Sequence, residues 1–187
     1  MSMAKIAIVY FSASGSTEKV AKAVAKGAGN FGAEVRLIPC KQIDMAYLDA
    51  ADAIIFGCPT YMGSVPAEYK IFMDMTSEAW SARKWCDKVA AGFTNSAALS
   101  GDKLGTLMQL ALFAFQQGMV WIGLDIMAGR TASGGTVPLN RVGGWLGLMT
   151  QINGTTTDEK LVESDLATAE YFGKRVANFT QRLMKKR

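Results

Sequence analysis

The chain has 187 residues, half of them hydrophobic, and a formal net charge of +4. That length buries one full core, so a single domain over residues 1–187 is expected. It contains no His, which excludes Ser-His-Asp and Cys-His nucleophiles, imidazole acid–base work and zinc-water hydrolysis.

Strand and helix patterns alternate along the chain. Residues 5–11 form a continuous apolar run, as a parallel strand buried on both faces should. Ser12-Ala13-Ser14-Gly15-Ser16-Thr17 follows, and a helical pattern covers 17–30 with Val20, Val24, Ala28 and Phe31 on one stripe. Strand, hydroxyl-rich loop and helix N-terminus in that order make a phosphate-sized nest whose helix dipole favours an anion. The alternative is an ordinary polar turn with a Ser or Thr cap. The loop is neither a Walker A motif nor G-x-G-x-x-G. Residues 34–38 and 53–57 read as strands two and three, joined by a short connection through Tyr47. Pro66 opens a helix over 66–75, near whose first turn it is tolerated. Strand four is expected over 89–94, a helix over 101–117 closing at Gly118, and strand five from Val120 to Ile122. A long amphipathic helix is expected over 158–185, with Leu161, Leu166, Ala169, Phe172, Val176, Phe179 and Leu183 inside and a Thr156/Glu159 capping box. Between them, 127–155 is Gly-rich and weakly periodic, which in a compact domain usually means function.

Cys40, Cys58 and Cys86 are odd in number and widely spaced. They form no metal motif and suit a reducing, cytoplasmic location. Gln109, Gln116 and Gln117 interrupt the richest apolar stretch, so no membrane span is expected, and the N-terminus has no signal-peptide layout. The terminal Lys185-Lys186-Arg187 reads as a solvated helix end rather than a nucleic-acid site.

The first loop resembles the phosphate-binding loop of flavodoxins, Ser/Thr-x-Thr/Ser-Gly-x-Thr. Cys58-Pro59-Thr60-Tyr61-Met62-Gly63-Ser64-Val65-Pro66 resembles the Gly-x-Pro-Thr-x-x-Gly-x-x-Pro loop of the WrbA-like NAD(P)H:quinone oxidoreductases, a branch of the flavodoxin superfamily related to the NADPH-dependent FMN reductases. Phe72-Met73-Asp74, Trp80, Lys88 to Phe93, Gly118-Met119-Val120 and Val142-Gly143-Gly144 fall in the family's order. The resemblance implies a flavodoxin-like, doubly wound, five-stranded parallel α/β sheet of order 2-1-3-4-5, an order for which flavodoxin is itself the reference example. It also implies FMN as cofactor, NAD(P)H as electron donor, a quinone-like acceptor and a homo-oligomer, with a tetramer favoured. The apolar candidates Trp80, Trp85, Phe113, Phe115, Trp121 and Trp145 point the same way. Two further readings stay open: a flavodoxin-type electron carrier, which a charge of +4 fits poorly, and an FMN-binding interaction protein without turnover.

By this resemblance three loops would hold FMN. Ser12, Ser14, Gly15, Ser16 and Thr17 would take the phosphate. Pro59, Thr60, Tyr61, Met62 and Gly63 would run along the isoalloxazine edge. Thr94, Asn95, Ser96 and Ala97 would complete the ring and ribityl contacts, with Asn95 as a donor to reduced flavin or, alternatively, the start of an Asx turn. No side chain is expected to be catalytic, since the flavin carries the chemistry, and no metal is expected. Trp80 and Gln117 are candidate substrate residues, Trp80 and Trp85 being read either as a cover for the ring or as packing. Cys58 would touch the ring or pack at the strand end. The region 127–155 would build the site mouth and subunit contacts or form a mobile loop anchored by Val142, Trp145, Leu146 and Leu148. The sequence departs from the family at Ser14 and Ser16, at Ala97-Ala98-Leu99 where Gly is usual, and at Gln116-Gln117-Gly118-Met119, where the family has His-His-Gly-Met.

Overall fold

A computed structural model describes residues 3–99, 101–131, 135–153 and 160–185. Strands β1 (Lys5–Tyr10), β2 (Glu34–Pro39), β3 (Ala53–Pro59) and β4 (Val89–Ser96) are all parallel. β3 is buried along its whole length, which its unbroken apolar sequence requires of a central strand covered on both faces. The helices that connect them are α1 (Ser16–Asn30), α2 (Met45–Ala50), α3 (Ala67–Met75), α4 (Ser77–Ser81) and α5 (Lys103–Gln116). Helix α2 occupies the segment expected to be a plain connection; Asp44 caps it by accepting from the Tyr47 amide at 3.0 Å.

The sheet has the expected order 2-1-3-4-5, but two strands share the fifth position. β5 (Val120–Ile122) pairs with the start of β4, and β6 (Leu148–Asn153) pairs with its end, from Phe93↔Leu148 to Ser96↔Gln151. The stretch 127–155 is therefore not one long loop. The chain leaves the sheet after Ile122 and rejoins it at Leu148, and close backbone approaches at Gly123 and Gly147 close the gap. A Cβ on Gly147 would sit 2.3 Å from the Gly92 carbonyl oxygen, and one on Gly123 would sit 2.4 Å from that of Trp145. A short β7 (Lys160–Leu161) pairs antiparallel with β6, and α6 (Glu163–Met184) follows. The long helix thus begins later than its periodicity predicts: Leu161 is in a strand, held there by the β6 edge. The expected capping box at Thr156 and Glu159 lies outside the described residues.

Two helical layers sandwich the sheet. α1 and α6 cover one face, on Ile6, Ile8, Ile55 and Phe93. α2, α3 and α5 cover the other, on Val9, Ile54, Phe56 and Ala90. Trp85 is fully buried in this second layer, its indole N–H donating to Asp49 at 2.9 Å and its ring edge-on to Phe113, so it packs rather than covers a ligand. Because every crossover helix runs back along the sheet, the loops after β1, β3 and β4 gather at one end.

Candidate active site

Gly15 is the residue before α1, at φ +95°, a conformation that favours glycine. Its amide donates to Ser12 Oγ at 3.0 Å and its carbonyl accepts from Lys19. The Ser14 and Ser16 hydroxyls lie 3.5 Å apart, Ser14 exposed and Ser16 buried. The space over Gly15 is open: a Cβ there would meet nothing within 4 Å. The first turn of α1 presents amides without helical partners to this space, with the positive end of the dipole behind them.

The second loop is a tight hairpin. Tyr61 and Ser64 exchange both backbone hydrogen bonds at 3.0 Å, and the two residues between them, Met62 and Gly63, have φ of +48° and +75°. Positive φ at both central positions is the type I′ geometry, which a non-glycine residue adopts only with strain. Met62 is thereby pushed fully into solvent. Gly105 of α5 lets the helix approach, since a Cβ there would stand 3.0 Å from the Gly63 carbonyl oxygen. Gln109 also holds the hairpin, accepting from Ser64 Oγ at 2.9 Å. Pro59 ends β3 opposite Asn95. The hydroxyls of Thr60 and Thr94 are 2.8 Å apart, and Thr60 donates to Thr106 at 2.9 Å. These threonines knit the second and third loops onto α5.

Asn95 joins all three loops. It is completely buried; its side-chain oxygen accepts from Thr17 Oγ1 at 2.7 Å and its main-chain oxygen from the Thr60 amide at 2.9 Å. Its amide nitrogen Nδ2 has no partner among the described residues. The same is true of Ser96 Oγ and of Thr150 Oγ1, on the β6 residue paired in register with Asn95. Buried N–H donors are almost always satisfied, so this orphan at the meeting point of three loops is a donor whose acceptor the described residues do not supply. Ala97 is exposed, its carbonyl held by Gln151 Nε2 at 3.0 Å. The FMN expected from the sequence fits these groups: an open anion nest, a buried unpaired amide donor and a glycine-closed hairpin lie together at one end of the sheet.

Trp80 and Gln117 are brought together with each other but not with these loops. They line a cleft of about 270 Å³ with Lys70, Asp74, Thr76, Ser77 and Gln116. Gln117 donates to Thr76 Oγ1 at 2.8 Å, while its buried Oε1 has no partner among the described residues. The Gly118 carbonyl accepts from Asp87 just before β4, whereas the third loop follows the other end of that strand. The eight residues of β4 separate the two places by roughly 23 Å at about 3.3 Å per residue. Cys58 is fully buried on the α3 and α5 side, and burial pushes its thiol well above the ordinary range, so it is a core residue.

Residues 44–132 match the NADPH-dependent FMN reductase family. Over 184 residues the chain is 39% identical to "Flavodoxin FldP" of Pseudomonas aeruginosa, covering 97% of this chain and 99% of that one. Over 206 residues it is 33% identical to an NAD(P)H dehydrogenase (quinone) of Archaeoglobus fulgidus, covering 97% and 100%. The crystal structure of a flavodoxin, WrbA-like protein from Agrobacterium tumefaciens superimposes with a TM-score of 0.75 at 38% identity, over 96% of this chain and 98% of that one. The chain belongs to the WrbA-like branch of the flavodoxin superfamily. Within this family fold, Thr106, Gln109, Thr150 and Gln151 are residues of the site region that sequence reasoning missed. None stands in a motif; each reaches the loops only through strand pairing or helix packing.

Proposed function

We propose that this protein is an FMN-dependent oxidoreductase that passes electrons from NAD(P)H to a quinone-like acceptor. The orphaned amide of Asn95 between the three loops carries the reading. Ser12, Ser14, Gly15, Ser16 and Thr17 would hold the phosphate through hydroxyls, amides and the α1 dipole. Pro59 to Gly63 would flank the ring, and Thr94 to Ala97 would close the pocket, with Asn95 Nδ2 as donor. When bound, FMN would supply the redox chemistry, hydride acceptance from the nicotinamide and electron transfer to the acceptor. The chain's own task is to bind, orient and donate hydrogen bonds, and no imidazole takes part in moving protons. The test is steady-state oxidation of NADH and NADPH by FMN-loaded protein with benzoquinone. Turnover supports the enzyme, and binding of FMN without turnover favours an electron carrier, the reading to which the 39% identity to a flavodoxin gives weight. The whole of residues 1–187 would act as one domain in the cytoplasm, as three free cysteines suggest; no described helix is long and apolar enough to cross a membrane.

The assembly belongs to the same proposal. Leu104, Met108, Leu112 and Phe115 form an exposed apolar stripe on α5, with Leu146 lining the same face; Trp145 is exposed as well. A second copy would cover it, and a tetramer is the form we propose. In that assembly Trp80 and Gln117 would serve the flavin of a neighbouring copy, since their own lies a strand's length away. Trp121 is half-buried, and Phe113 is buried like Trp85, so neither contributes to this surface.

A further inference from the structure

Two successive carbonyls of the third loop are each held by a side chain from another element. Gln151 of β6 donates to Ala97 O at 3.0 Å, and the ammonium of Lys103, the first residue of α5, donates to Ala98 O. Lys103 is fully buried. Behind it lies a charged hub. Asp165 at the start of α6, 1% exposed, accepts a two-pronged contact from Arg141 at 2.9 and 3.2 Å, and accepts the Gln151 amide at 2.7 Å. Arg141 in turn donates to Gln151 Oε1 at 3.1 Å. The loop is thus held at two successive carbonyls; the Gln151 grip is braced directly on Asp165, whose charge also acts on Lys103 through space.

We propose that Lys103, with Gln151, is a positioning residue that clamps the third loop in its FMN-binding form and ties FMN affinity to the protonation of one buried amine. This rests on the reading that the 94–99 loop holds FMN. A bond from an ammonium to a carbonyl is about twice as strong as one from a neutral amine, so loss of the proton slackens the grip on Ala98. It also removes a positive charge beside a site for an anionic ligand. Burial holds the Lys103 amine down at about 8; Asp102 and Asp165 work to keep it charged, and Arg141 opposes them.

The experiment is FMN titration by flavin fluorescence from pH 7 to 9.5, with wild type, Lys103→Met and Gln151→Leu. Wild-type Kd should stay level up to pH 7.5 and rise as pH passes about 8. Lys103→Met should bind about tenfold more weakly at pH 7, the loss of one charge-assisted bond, with a flat profile. Gln151→Leu should also bind more weakly and keep the wild-type limb, because its Lys103 still titrates. Wild-type affinity with the wild-type pH limb in Lys103→Met overturns the clamp. If Lys103→Met does not fold, a flat wild-type profile together with wild-type affinity in Gln151→Leu overturns it equally. If wild type itself shows no saturable FMN binding, the cofactor reading falls, and the clamp with it.

Discussion

Replacing Asn95 by Leu separates a residue kept for ligand binding from one kept for folding. Among the described residues Asn95 makes one side-chain hydrogen bond in the FMN-free protein, from Thr17, and leaves one buried donor unpaired. A lone buried donor costs about 1–3 kcal/mol, and a typical hydrogen bond contributes about 1 kcal/mol. Leu matches the shape of Asn; the exchange removes the unpaired donor but strands the buried Thr17 hydroxyl, so those two effects offset and the net loss is that of the hydrogen bond itself, about 1 kcal/mol. Thr17→Val behaves differently. It deletes the bond but leaves Asn95 Oδ1 buried without its donor, a loss of about 2 kcal/mol, or about 4–8 °C in Tm for a chain of this size. FMN affinity should reverse the ranking: Asn95→Leu removes the unpaired donor between the three loops and should raise Kd by about 10- to 100-fold. Differential scanning calorimetry of FMN-free protein and fluorescence titration with FMN measure the two halves. The reasoning is refuted if Asn95→Leu is the less stable of the two variants, or if it binds FMN like wild type.

Ser14→Glu should abolish FMN binding with an unchanged circular dichroism spectrum, because its carboxylate both mimics and repels a phosphate at the α1 N-terminus; wild-type affinity in the variant would place the phosphate elsewhere. Gly173→Ala should destabilise the protein by about 1–3 kcal/mol or more, since its Cβ would stand 1.9 Å from the Val24 carbonyl oxygen and force α1 and α6 apart; an unchanged denaturation midpoint would contradict the observed packing. The FMN-free wild type should gain stability relative to Lys103→Met as pH rises from about 8 towards 10. The folded amine has lost its proton there while the unfolded chain still holds it, so unfolding takes up a proton; parallel pH curves for the two proteins would refute this. Quinone reduction at saturating donor should vary little between pH 6 and 7.5 and be indifferent to Cys58→Ala, because burial keeps that thiol protonated; a steep limb lost in the variant would show the thiol at work. Leu112→Glu should shift light-scattering mass towards the monomer, and an unchanged mass would place the subunit contact elsewhere.

The local sequence carried the parts of this protein that depend on neighbouring residues. Apolar runs at β1, β3 and β4 alternating with helical patterns point to a parallel α/β sheet, and the family resemblance supplied its order. The turns at Ser12 to Thr17 and Pro59 to Gly63 were legible as loops after strands because each is built from contiguous residues. What the tertiary structure decided involves distant partners. The fifth strand position is divided between β5 and β6 because Gly123 and Gly147 allow the backbone to leave and rejoin beside Gly92. Residues 160–161 are a strand because β6 offers an edge, against a helical periodicity that continues through them. Trp85 is core and Trp80 is surface, though both follow the same helix. Above all, the convergence of Thr17, Thr60 and Asn95, and the double grip of Lys103 and Gln151 on the loop beside them, link positions up to 78 residues apart, with nothing in the local sequence to mark them.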